Sequence, residues 1–235
     1  MIKAYWYPAD YNVGDTLTPH ILKHFLNDEI VRTGERECGK LVAVGSIMSK
    51  IRSGDVVWGT GCSKGWRTIR GDGIKFLAVR GPYSRKLITG GKVPEVYGDP
   101  AILLPMIYNP GIERKWKVGI IPHYVDKAIV KNDVKNNDYH FIDVAWPWKK
   151  FVEEVKSCGR IISSSLHGII IAEAYGIPAE WRVYSDKVIG KGFKFRDYLA
   201  GTGRKIQYPG EFPPIENIGI IQKRLIDALK NHYKK

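Results

Sequence analysis

Between Arg160 and Pro178 the chain changes periodicity once, and that change limits the folds open to it. Ile161-Ile162 reads as the end of a buried strand, Ser163-Ser164-Ser165 supplies a corner of small hydroxyls, and Leu166-His167-Gly168 leads through Ile169 to Ala172 and Glu173 with the length and apolarity of a helix. That helix stops at Gly176-Ile177-Pro178, and Ala179 to Tyr184 resumes extended structure. A histidine where a strand gives way to a helix can meet an anion held by the helix-start amides and move a proton to or from it.

The same alternation recurs along the chain. Ile2 to Tyr7 predicts a strand, Asn12 to Thr16 its connecting loop, and Leu17 to Leu26 a helix with Leu17, Ile21, Leu22 and Phe25 on its apolar side. Leu41 to Val44, Val56 to Trp58 and Phe76 to Val79 are further short strands, followed by a helix after Gly81-Pro82 and by the extended run Val93 to Tyr97. A second series holds strands at Lys117 to Ile121, His140 to Val144 and Arg160 to Ser163, with a helix around Trp148 to Ser157. A terminal helix is expected from about Ile215 to His232. Strands alternating with helices favour an α/β fold of open, mostly parallel sheets whose ligand site lies beyond the carboxyl ends of the strands. The expected division is a first domain over 1–110 and a second over 111–235 that keeps the terminal helix; one continuous sheet is the alternative.

Lysine plus arginine outnumber aspartate plus glutamate by 37 to 24, a net charge of +13 that attracts anions, whether nucleic acid, anionic membrane or phosphorylated small molecule. The basic residues form no dense arm, and no nucleic-acid fold motif or aromatic-basic repeat accompanies them, so nucleic acid is disfavoured. No apolar run has bilayer-spanning length, and the N-terminus enters strand-like sequence without a leader pattern. The expectation is a soluble, cytoplasmic protein whose charge is compatible with peripheral contact at the inner face of a membrane. Cys38, Cys62 and Cys158 are too few and too scattered for a disulfide framework or a CxxC metal site and read as ordinary buried or half-buried thiols.

Several polar residues fall at strand ends. Asp15, in Asn12-Val13-Gly14-Asp15, can cap a helix or orient and deprotonate a hydroxyl. Arg80 follows Leu77-Ala78-Val79 and precedes Gly81-Pro82, where a guanidinium can grip a carboxylate or phosphate with two hydrogen bonds. Asp99, in Gly98-Asp99-Pro100, is a turn carboxylate or a hydroxyl-binding group. The basic, aromatic stretch Lys187 to Tyr198, with Lys194 within it, reads as a solvated face or a cover over a ligand, and Arg204 as a loop arginine or an anion clamp. His20 and His24 share a helix face without a third ligand, so no metal site is expected. Neither the full dinucleotide fingerprint nor the P-loop pattern is present.

Asn12-Val13-Gly14-Asp15, Ala78-Val79-Arg80-Gly81-Pro82, Val96-Tyr97-Gly98-Asp99-Pro100 and Ser163-Ser164-Ser165-Leu166-His167-Gly168, with Ala172 to Pro178 behind them, together resemble the polysaccharide pyruvyltransferase family, most nearly its bacterial exopolysaccharide ketal-pyruvyltransferases. The resemblance runs from the N-terminus to about Arg204. It implies two facing Rossmann-like domains arranged as in GT-B glycosyltransferases, phosphoenolpyruvate as donor substrate, a sugar diol of an exopolysaccharide or its lipid-linked precursor as acceptor, a cyclic ketal as product, and no separate cofactor or metal. It further implies His167 as general acid, Arg80 with Ser164, Ser165 and Arg204 on the donor, and Asp15 and Asp99 on the acceptor hydroxyls. Some members of the family carry arginine immediately before the Leu-His pair, where this chain has Ser165; Arg204 or a lysine between 187 and 194 then becomes the candidate replacement. Trp6 and Trp66 are nonspecific sugar-stacking candidates whose expected place is the core. A nucleotide-sugar glycosyltransferase is the enzyme alternative, and a noncatalytic carbohydrate- or nucleic-acid-binding module the other.

Overall fold

The computed structural model describes residues 1–8, 11–134, 139–205 and 208–234. Its first half contains β1 (Ile2–Tyr5), α1 (Thr18–Leu26), β2 (Ile30–Arg32), β3 (Leu41–Val42), β4 (Val56–Trp58), β5 (Ile69–Arg70), β6 (Lys75–Ala78), α2 (Pro82–Lys86) and β7 (Ile88–Thr89). Five of these strands form a parallel sheet in the order β2-β1-β3-β4-β6, while β5 and β7 pair in a small parallel ribbon. The second half contains β8 (Trp116–Ile121), α3 (Lys127–Asp133), β9 (Tyr139–Phe141), α4 (Trp148–Lys156), β10 (Cys158–Ser163), α5 (Leu166–Ala174), β11 (Ala179–Trp181), α6 (Phe193–Gly201), β12 (Gly210–Glu211) and α7 (Ile218–Tyr233). Its sheet runs β12-β11-β10-β8-β9, parallel except for the edge strand β12. The molecule is therefore α/β with two separate, predominantly parallel sheets rather than one continuous sheet.

The central strands β3 and β11 are buried at every position, as parallel strands covered by helices require, while the edge strands β2 and β9 keep exposed side chains. The two halves share one apolar core that includes Ala4, Leu41 and Trp58 from the first sheet and Ile121, Ile161 and Trp181 from the second. Several links cross between them, two of them beside the cleft. α5 is apolar around its whole circumference, with Leu166 through Glu173 all buried, and it packs against the 3₁₀ helix Pro100–Met106 of the first half. The Val13 amide, after β1, donates to the Val144 carbonyl in the second half at 2.7 Å.

The last two helices return to the first half. α6 packs on α2, and α7 packs on β6, α1 and the 100–106 helix, where the Trp58 indole donates to the Leu225 carbonyl at 2.9 Å. The terminal helix thus covers the first sheet. Trp66 departs from its expected place in the core and stands 66% exposed, and Cys38 is exposed as well, since both lie in loops outside the strands. Val93 to Tyr97 forms no strand beyond a single bridge of Tyr97 to Val79. No helix among the described residues is long and apolar enough to cross a membrane.

Because Trp58 is fully buried and carries the hydrogen bond that fastens α7, Trp58→Ala is expected to cost about 3–5 kcal/mol. The readout is a lowered urea midpoint at an unchanged slope.

Candidate active site

A cleft of about 310 Å³ opens at the carboxyl ends of strands from both sheets. Residues after β1 (Tyr7, Asn12, Asp15), β3 (Ser46) and β4 (Ser63, Lys64) line one side, and residues after β8 (His123, Tyr124), β10 (Leu166, His167) and β11 (Lys187) line the other. Lys194 from α6 completes the wall. Strand ends converge there because parallel sheets aim their loops and helix starts in one direction.

His167 sits in the first turn of α5 and is 5% exposed. Its imidazole rests on the backbone of the loop after β1, where a methyl group added at Gly14 would lie 1.8 Å from Nδ1. Only glycine permits that approach, which explains its place beside Asp15. The imidazole Nε2 is buried, has no hydrogen-bond partner among the described residues, and lies 3.7 Å from Asp99 Oδ2. Asp99 is fully buried and caps the 100–106 helix through the Ala101 amide at 3.0 Å, while its other oxygen accepts from the Gly45 amide at 3.2 Å. It therefore stands behind the imidazole and outside the cleft lining.

Asp15 does line the cleft. Burial raises its carboxyl above the ordinary range against the opposing pull of His167 and Lys194, and Asp99 adds to the rise. Lys194 is half-buried; burial brings its ammonium down to about 8, Arg80 pushes the same way, and Asp15 and Asp126 oppose. His123 is held down at about 3 by burial, with Lys194 and His167 adding to it. Its Nδ1 accepts from the Val125 amide at 3.4 Å, so the imidazole is neutral with its proton on Nε2.

The residues expected on the donor are placed differently. Arg80 is fully buried: its Nε donates to Asp197 Oδ2 at 3.0 Å, one terminal nitrogen to Ser46 Oγ at 2.7 Å and the other to the Cys62 carbonyl at 2.6 Å. It reaches the cleft only through Ser46. Ser164 accepts from the His123 amide at 2.8 Å and donates to Asp126 at 2.7 Å, which positions the β8 loop, and it lies outside the cleft lining. Ser165 precedes α5 with its Oγ buried and unpartnered among the described residues, outside the cleft lining. Arg204 is paired with Glu173 against Tyr198 and Phe212, on the far part of α5 and outside the cleft lining. Lys64, Lys187 and Lys194 do reach the cleft. His123 and Lys64 went unremarked in the sequence; the signal that would have found His123 is its position two residues past a strand end, in Ile121-Pro122-His123.

The family model for polysaccharide pyruvyl transferases matches residues 39–185. The chain belongs to the polysaccharide pyruvyl transferase family. An uncharacterized protein of Acanthamoeba polyphaga mimivirus is 30% identical over 216 residues, covering 86% of this chain and 75% of that protein. No solved structure matches the chain. The matched segment of this pyruvyl transferase includes Asp99, His123 and His167, while Asp15 and Lys194 lie on either side of it.

Gly14→Ala is expected to displace the imidazole and lower turnover by at least about tenfold. Steady-state kinetics with a circular dichroism spectrum unchanged from wild type would check it.

Proposed function

We propose that this pyruvyl transferase moves the pyruvyl group of phosphoenolpyruvate onto two hydroxyls of a glycan sugar, forming a cyclic ketal. The observation carrying this reading is the cleft itself: three lysines and a single carboxylate line it, with His167 backed by Asp99. That excess of positive charge suits a small, highly charged anion. The convergence of two sheets' carboxyl ends supports a facing arrangement of two Rossmann-like units like that of GT-B enzymes, with the donor between them.

In this mechanism Lys64, Lys187 and Lys194 bind the donor carboxylate and phosphate, and Arg80 fixes the Ser46 corner from behind. His167 in its protonated form gives a proton to the methylene carbon of phosphoenolpyruvate, turning CH2 into CH3 and leaving C2 as an oxocarbenium-like centre. The carboxylate of Asp99 offsets the charge on the imidazolium. The first sugar hydroxyl attacks C2 as Asp15 takes its proton; a carboxyl whose affinity for protons is raised is a better base once ionised. The C2–O bond to phosphate then breaks, regenerating the electrophilic centre, and the second hydroxyl closes the ketal. Of the two hydroxyl protons released, one returns His167 to its starting form and one leaves with phosphate. Neutral His123 donates a hydrogen bond from Nε2 to a ligand oxygen without adding charge.

The test is incubation of the purified chain with phosphoenolpyruvate and a panel of free and lipid-linked oligosaccharides, following phosphate release and product mass. Acceptor-dependent phosphate release with a pyruvyl-sized mass gain is expected, and His167→Gln should lower kcat by about 10²-fold or more. Turnover of a nucleotide-sugar in place of phosphoenolpyruvate would select the glycosyltransferase reading, and binding that survives His167→Gln without donor consumption would select a noncatalytic module.

The pH dependence follows from Lys194. Its ammonium is lost as pH rises through about 8, so kcat/KM for phosphoenolpyruvate should fall about tenfold per unit above that pH. Lys194→Arg, which stays charged, should move the decline above pH 10 in the same profile.

A further inference from the structure

The cleft does not end at the donor lysines. Ser63 and Lys64 also line an adjoining depression of about 480 Å³, whose other walls include Ser49, Trp66 and Arg67. Trp66 is 66% exposed, and Lys64 Nζ lies 5.6 Å from its ring centroid. An indole offers a flat apolar face and a polar edge, a shape suited to a ligand with one apolar face. Lys64 and Arg67 are exposed, and neither is in an ion pair with a described residue. No carboxylate lines the depression. Across the cleft mouth stand three more exposed aromatic side chains: Tyr7 and Tyr124 in the lining, and Tyr11, whose ring centroid is 6.4 Å from that of Tyr124.

We infer that the Ser63–Arg67 depression is a subsite for a carboxylated sugar unit next to the sugar that receives the pyruvyl group, with the pyranose ring against Trp66 and its carboxylate on Arg67. The acceptor is then an acidic oligosaccharide of at least two units. The indole supplies a flat face for the axial C–H groups of a ring, and Arg67 has the fork that pairs with a carboxylate through two hydrogen bonds. The shared Ser63 and Lys64 make the two depressions continuous, so one glycan can occupy both. The donor is excluded as the occupant because it has no ring face to lay on the indole. This inference rests on the pyruvyl-transfer reading only for the identity of the neighbouring cleft.

The experiment is isothermal titration of the full chain with a tetrasaccharide of alternating glucuronate and neutral hexose, and with the same tetrasaccharide after its carboxyl groups have been reduced to alcohols. Wild type should bind the acidic form at least about tenfold more tightly, and added salt should narrow the difference. Trp66→Ala should weaken both ligands about tenfold, whereas Arg67→Ala should weaken the acidic one alone. Both side chains are exposed, so unfolding midpoints should match wild type. Equal affinity for the two ligands, no binding, or binding indifferent to both substitutions would overturn the subsite. Phosphoenolpyruvate consumption in the same samples separates the two ideas. The expected binding, with no consumption across the free and lipid-linked acceptor panel, would refute pyruvyl transfer and leave the subsite standing, while consumption with binding indifferent to Trp66 and Arg67 would do the reverse.

Discussion

The near-complete burial of α5 organises this molecule. A helix whose nine residues include Leu166, Ile169, Ile170 and Ile171 on every side has no face to offer water, so it must be enclosed by protein on all of them. Its own sheet covers one side and the 100–106 helix of the other half covers another. The single core that results joins the two sheets, and the start of α5 is left at their common carboxyl edge. His167 is therefore delivered to the cleft by a hydrophobic constraint, and the polar groups about it inherit their positions from that constraint.

A second constraint, ionic, sets the cationic wall. Arg80 and Asp197 are both fully buried, and Asp197 also accepts from the Ser84 amide at 2.7 Å and the Ser84 hydroxyl at 2.6 Å. Removing one member of such a pair typically costs about 3–5 kcal/mol because the other is left charged and unpaired. The pair pins α6 against α2, and Lys194 lies on that same helix, three residues before Asp197. An arginine outside the cleft lining can thus govern a lysine within it. That is a physical reason for an arginine at this strand end distinct from anion binding.

Much of the architecture was legible as periodicity. α1, α4 and α5 begin and end within a residue or two of where their apolar spacing and turn residues put them, and β4, β8 and β10 were equally plain. Short elements whose pattern is contradicted locally were not. The 100–106 helix contains Pro100 and Pro105, which suppress any helical reading even though a 3₁₀ turn tolerates them. β2, β5 and β7 have three residues or fewer, too few to show a period. α6 was hidden in a basic, aromatic stretch that resembled a solvated face, because what covers its apolar residues lies elsewhere in the chain: Phe195 stacks on Trp181 at 4.5 Å and the Tyr198 hydroxyl donates to Glu173 at 2.8 Å.

At the site the division is sharper. The sequence alone determined that strands alternate with helices, that a histidine stands at the start of an apolar helix, and that Asp15, Arg80 and Asp99 occupy strand ends, since these follow from spacing along the chain. Only the tertiary structure decided which of those side chains face the cleft. It set Asp99 behind the imidazole, closed Arg80 upon Asp197, spent Arg204 on Glu173, and brought His123, Lys64 and Lys194 into the lining. The reason is that a charged side chain goes to whichever opposite charge or solvent the packing leaves within its reach, and that neighbour comes from another part of the chain.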